Sequence, residues 1–80
     1  MNEKQFKVFS VIKQYQPIYL RDIAKKSNVA YATVQAIVKN ATHLLDISHE
    51  GKHAYYSFSD TPEVKLLYEQ LALEARKQML

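Results

Sequence analysis

A chain of 80 residues holds one domain and is too short for two independent hydrophobic cores. Hydrophobic residues make up 48% of it, which suits a compact core and argues against wholesale disorder. There is no cysteine, so disulfides and thiolate metal sites are excluded. No apolar run approaches the ~20 residues of a membrane span, and MNEKQFKVF has no signal-like apolar core. A soluble protein is expected, cytoplasmic or nucleoid-associated, with no membrane partner.

The formal net charge is +3, and its distribution is uneven. Residues 1–59 carry eight Lys or Arg against four acids, whereas residues 60–80 carry three against four. A basic body suits a polyanionic partner, although a lysine-rich soluble protein would show the same balance.

Along the chain, Phe6, Val8, Phe9, Ile12 and Tyr15 recur at three- and four-residue steps and predict an amphipathic helix from Glu3 to Gln16. Pro17 disfavours helical geometry at Gln16 and ends it, leaving Pro17-Ile18-Tyr19 as a short extended piece. Leu20–Lys26 reads as a second helix with Ile23 and Ala24 inward. Ser27-Asn28 interrupts it, because Asn tolerates the left-handed conformation of a tight interhelical turn. A third helix follows from Tyr31 to Ala41, extending at most to His43. Asp46–His49 and His53–Phe58 are strand candidates around Glu50-Gly51-Lys52, where glycine can take positive φ. Thr61-Pro62-Glu63 places an N-cap, a first-turn proline and a first-turn acid in their preferred order, opening a last helix.

Three helices and a hairpin, then a further helix, make an α+β chain that is mostly α. Two helices crossing over a short turn need a small residue where they touch, and Ala24 supplies it. Val29 plugs the turn, and Val34 and Ile37 anchor the third helix. The segment LRDIAKKSNVAYATVQAIVKN, residues 20–40, resembles the helix-turn-helix of winged-helix transcription regulators. With the hairpin LDISHEGKHAYYSFS it is similar to the compact repressors of the arsenic-repressor and multiple-antibiotic-resistance-repressor types. The resemblance covers about residues 5–59 and implies a winged helix-turn-helix fold. It departs from the pattern at Asn28, where many such motifs have glycine, and in lacking the cysteines of thiolate metal sensors.

On a 100° wheel, Ala30, Val34, Ile37, Val38 and Ala41 fall within about 60° of one line and are expected in the core. The opposite face holds Ala32, Ala36, Lys39 and His43, flanked by Thr33, Gln35 and Asn40, with Tyr31 at the helix start. A helix in the DNA major groove needs such a face. Small residues let the backbone approach, Gln and Asn pair with an adenine edge, and Thr and Ala methyls meet thymine methyls. A solvated helix that is merely rich in alanine would look the same.

Arg21, Lys25 and Lys26, on the supporting helix, are phosphate-contact candidates, though each alone also fits an ordinary charged surface. In the resembling families the wing reaches toward the minor groove or its phosphates, which implies Lys52 and His53 here. Tyr56 and Phe58 are expected inward, and His53, Tyr55 and Ser57 on the other side. His49 and His53 sit across a turn and His43 ends a helix, so convergence is conceivable. No Asp, Glu or His pair has the i, i+4 spacing of a helical metal site, however, and neither a nucleophile elbow nor a phosphate-cradling glycine loop is present. No metal, cofactor or enzymatic activity is expected.

The last helix carries two apolar faces. Val64, Leu67, Tyr68, Leu71, Ala72, Ala75 and Met79 form a broad one; Leu66, Leu73 and Leu80 stand in line opposite, seven residues apart. One face suits the chain's own domain and the other a second copy. Residues 1–59 are thus expected to be a DNA-binding domain and 60–80 a dimerisation element. The reading is a homodimeric, sequence-specific regulator of double-stranded DNA, acting as a repressor, with no small-molecule effector. The alternatives are a winged-helix protein-interaction module or an architectural protein that binds DNA without sequence choice.

Overall fold

The computed structural model describes residues 1–79 and places five helical segments and three strands around one core. Helix α1 (Glu3–Tyr15) starts on a capping box: Gln5 N donates to Asn2 Oδ1 at 2.8 Å, and Asn2 N donates to Gln5 Oε1 at 3.0 Å. It is central, packing against α2 (Leu20–Ser27), α3 (Tyr31–Asn40), the wing and α4 (Pro62–Gln78). Covered on several sides, it buries Val8, Phe9, Val11 and Ile12 together, a wider face than its periodicity indicates. Tyr15, expected inward, is exposed and instead carries the Lys26 ammonium 4.2 Å from its ring centroid.

The helix-turn-helix forms as its residues dictate. Ile23 is fully buried, Ala24 half-buried, and Val29 buried in the turn. Asn28 takes φ 57° and ψ 35°, the left-handed conformation that ends α2. Val34 and Val38 fix α3 to the core and Ile37 is half-buried. Ala30 corrects the wheel: it is the N-cap of α3, extended and exposed, because the helix begins one residue beyond it. The third helix also stops early. Ala41 leaves helical geometry and a 3-10 turn, α3′ (Thr42–Leu44), carries His43 off the α3 axis.

Strand β1 (Ile18–Tyr19) is part of the sheet, in the antiparallel order β1-β3-β2 with β2 (Leu45–Glu50) and β3 (His53–Phe58). Its pairs are Ile18 with Tyr56 and Tyr19 with Tyr55. The β2–β3 register runs from Leu45–Phe58 to Glu50–His53, so Gly51 and Lys52 alone make the turn. Gly51 has φ 63°, at the first turn position, where a type II′ hairpin requires it. Leu45, Ile47, Tyr56 and Phe58 share the core-side face. Burial fades outward, from Leu45 at 7% exposure to Ile47 at 43%, because the wing projects past the helices.

Helix α4 is capped by Thr61 Oγ1, which accepts from Val64 N, and has Pro62 in its first turn. Val64, Leu67 and Leu71 join the common core. The packed face is shorter than expected: Ala72 is exposed and Met79 is 85% exposed, since α4 outruns its neighbours. Leu66 and Leu73 are 60% and 55% exposed, while Leu80 lies outside the described residues. One unanticipated brace ties these parts together. The Gln16 side chain accepts from Phe58 N at 2.8 Å and donates to Tyr68 Oη at 3.3 Å, joining α1, β3 and α4. The Tyr68 ring also meets Phe58 edge-on at 5.5 Å.

Candidate nucleic-acid interface

The outer arc of α3 consists of Tyr31, Ala32, Gln35, Ala36, Lys39 and Asn40, all exposed, with Thr33 half-buried. Val34 and Val38 pin the opposite side, so these side chains are held outward by packing and not by their own contacts. Two of them are single methyl groups, so the backbone itself can approach a partner closely. Residues 23–45 contain no acid and three lysines, leaving this face free of negative side chains.

Between α3 and the wing run two adjoining clefts that share Leu20. One, of about 320 Å³, is lined by Gln35, Lys39 and Thr42 against Ile47 and Tyr56. The other, of about 230 Å³, collects Tyr19, Arg21, Tyr31, Lys52 and His53. Residues from α2, α3 and the wing tip thus converge on one concave surface beside the α3 face. Lys25 lies on α2, exposed but lining neither cleft, and Lys26 is engaged by Tyr15. His43, displaced by the 3-10 turn, also lines neither.

Among the described residues the ion pairs are Lys7–Glu3 and Lys77–Glu74, both away from this surface. Arg21, Lys39 and Lys52 therefore hold no carboxylate and are available to an external anion. No group of three or more His, Asp or Glu side chains among the described residues is disposed to hold a metal ion.

Sequence reasoning missed Tyr19 and Ile47. Tyr19 lies against His53 with the rings tilted by 46° and their centroids 5.2 Å apart, and meets Tyr55 edge-on at 5.7 Å. Its membership follows from β1 pairing with β3, a contact between residues far apart in the chain. Ile47 followed the alternation of a core strand, and only the projection of the wing leaves it in a cleft.

No protein-family model matches the sequence, and no curated protein matches it either. Solved structures do. BpsR of Bordetella bronchiseptica, whose DNA binding is regulated by 6-hydroxynicotinic acid, superposes with a TM-score of 0.79 at 23% identity. That likeness covers 96% of this chain and 56% of BpsR. AF1382 of Archaeoglobus fulgidus gives 0.77 at 18% identity, over 98% of this chain and 90% of AF1382. The MarR family transcriptional regulator SPO1453 of Silicibacter pomeroyi gives 0.72 at 16%, over 96% of this chain and 56% of SPO1453. The chain thus spans little more than half the length of two of the three. The likeness extends over 96–98% of this chain, and it shows a shared fold: the chain is a winged helix-turn-helix in architecture, similar to the MarR family transcriptional regulator SPO1453.

Proposed function

We propose that the protein is a transcriptional regulator that binds double-stranded DNA, with α3 in the major groove and the wing against the flanking backbone. The observation that carries this is the α3 outer face: exposed, acid-free, built of small and hydrogen-bonding residues, and bordered by unpaired Arg21, Lys39 and Lys52. The shared fold with BpsR and SPO1453 supports the same reading. In this proposal residues 1–59 bind DNA, and α4 joins two copies through Leu66 and Leu73, so that a palindromic operator is covered and transcription repressed. Lys25 and Lys26 contribute diffuse positive charge on α2. The expectation of no small-molecule effector is not carried into the proposal, since BpsR has this fold and responds to 6-hydroxynicotinic acid.

Selection of bound duplexes from a random pool, followed by mobility shift with nonspecific competitor, tests the proposal. A recovered consensus with an affinity in the ~10⁻⁸–10⁻¹¹ M range supports it. A protein that retards no duplex at micromolar concentration is not this regulator, and retention without a consensus would point to architectural binding.

Three variants probe the two contacts separately. Gln35→Ala and Lys39→Ala each weaken the selected sequence by about 1–3 kcal/mol, through one lost base contact, while thermal stability holds. Both side chains are exposed, so truncation leaves no cavity. Unchanged affinity in both would remove α3 from the groove. Lys52→Ala weakens all sequences alike and reduces the slope of log K against log salt by about 0.9, the signature of one lost phosphate contact. A loss confined to one sequence would mean that the wing reads bases.

A further inference from the structure

Gln16 stands where three elements meet and serves each with a different group. Its backbone N–H closes α1 on the Ile12 carbonyl at 2.9 Å. Its side-chain oxygen accepts from Phe58 N of β3 at 2.8 Å. Its amide nitrogen donates to Tyr68 Oη of α4 at 3.3 Å and to the Lys13 carbonyl at 3.2 Å. The sheet explains the bond to Phe58. β1 pairs with β3 at Ile18–Tyr56, and that register carried back two residues sets Gln16 opposite Phe58. At that point the backbone still belongs to the end of α1, so the amide oxygen stands in for the missing ladder acceptor. With its oxygen committed to Phe58, the planar carboxamide aims its nitrogen at α4.

The rest of the attachment of α4 is apolar. Val64, Leu67 and Leu71 hold the helix against the common core, but such burial has no direction of its own. A hydrogen bond weakens steeply as it bends, so the Gln16–Tyr68 bond supplies the orientation that the apolar face lacks. Among the described residues no other hydrogen bond joins α4 to the body. The Tyr68 ring is steadied by Phe58, edge-on at 5.5 Å, and by the Lys13 ammonium 4.7 Å from its centroid. We propose that Gln16 is a positioning residue for operator recognition. Through Tyr68 it fixes the angle at which α4, the joining helix, carries the DNA-reading body, and so sets the half-site spacing that a pair of chains accepts. The inference rests on the proposed DNA-binding dimer and names the residue that sets its geometry. α4 has 17 residues and is about 25 Å long, so a tilt of about 8° over that length displaces the body by about 3.4 Å, one base-pair step.

The test measures binding to labelled duplexes that carry the selected half-site once or as an inverted pair. The pair is set at separations stepped one base pair at a time on either side of ~10 bp, one helical turn. The wild type should prefer one separation over its neighbours. Tyr68→Phe keeps the ring, the apolar face and the Gln16–Phe58 bond, and removes only the hydroxyl. It should lower that preference by about two- to tenfold, the worth of one neutral hydrogen bond. Gln16→Ala should do the same, and if circular dichroism shows it unfolded, Tyr68→Phe alone decides. Both variants should keep the wild-type affinity for the single half-site and the sedimenting mass of a pair. A merely structural brace would lower thermal stability and leave the spacing profile unmoved. A Tyr68→Phe protein with the wild-type spacing profile, or a wild type that binds every separation equally, would overturn the inference while leaving DNA binding intact. Absence of binding to any duplex would overturn the regulator reading, and the role of Gln16 with it.

Discussion

Replacing Ile23 with Ala should cost about 2–5 kcal/mol of unfolding free energy, the range for truncating a fully buried isoleucine. Ile23 has 0% exposure and belongs to α2, which packs on both α1 and α3. Its removal deletes apolar contacts and leaves a void, because neighbours packed near crystal density relax only in part. A domain of this size has a total margin of only about 5–15 kcal/mol, so the variant should approach the edge of folding at room temperature. Urea titration followed by circular dichroism should show a lower midpoint with an unchanged slope, the mark of lost stability without a change in the surface exposed. A loss below about 1 kcal/mol, typical of surface changes, would mean that Ile23 does not hold the helix-turn-helix together. Because Ile23 is buried in the core and takes no part in the exposed outer arc of α3, the folded fraction should keep its DNA affinity when measured in the cold. The two readouts thus separate a fold defect from a contact defect, which Gln35→Ala and Lys39→Ala should show in reverse.

Where a residue's own chemistry decides the local backbone, the sequence was sufficient. Asn28 in the left-handed turn, Gly51 at the hairpin and Thr61-Pro62 at the start of α4 each act within a few residues and appear as expected. The alternation that puts Tyr56 and Phe58 toward the core belongs with them. What escaped reading depends on contacts distant in sequence. Gln16 looked like the end of a helix, yet its amide bridges to Phe58 and Tyr68, 42 and 52 residues away. Val11 enters the core beside Val8 because α1 is surrounded, a fact that belongs to its neighbours. The same limit applies to the candidate site. Arg21, Lys52 and His53 could be named singly from their elements. Their convergence with Tyr19 and Tyr31 in one cleft needs the β1–β3 pairing.

Leu73→Glu should yield a folded monomer that binds DNA far more weakly than the wild type. Leu66 and Leu73 lie seven residues apart on one line of α4, 60% and 55% exposed, while Val64, Leu67 and Leu71 hold the helix to its own domain. The two attachments are on different faces, so the substitution can break one without the other. In the proposed dimer, two copies of this line meet about a two-fold axis, each buried leucine contributing up to ~1.5–3 kcal/mol. A carboxylate there either remains unpaired in an apolar contact, at high cost, or prevents the contact. Helical content should be kept, and sedimentation should show the mass of one chain. DNA affinity should then fall steeply, because two half-sites about 34 Å apart are gripped together only by a joined pair, and a monomer forfeits the effective concentration of the second half. A wild type that sediments as a monomer at tens of micromolar would remove the dimer from the proposal altogether. A Leu73→Glu protein that remains dimeric would move the seam. With Val8 and Val11 buried, α1 offers no second apolar line of its own. The seam would then pass to the open groove between α1 and α4, where Phe6, Leu71 and Ala75 border about 340 Å³. Ala72→Glu, exposed at the edge of that groove, would then dissociate the pair where Leu73→Glu did not.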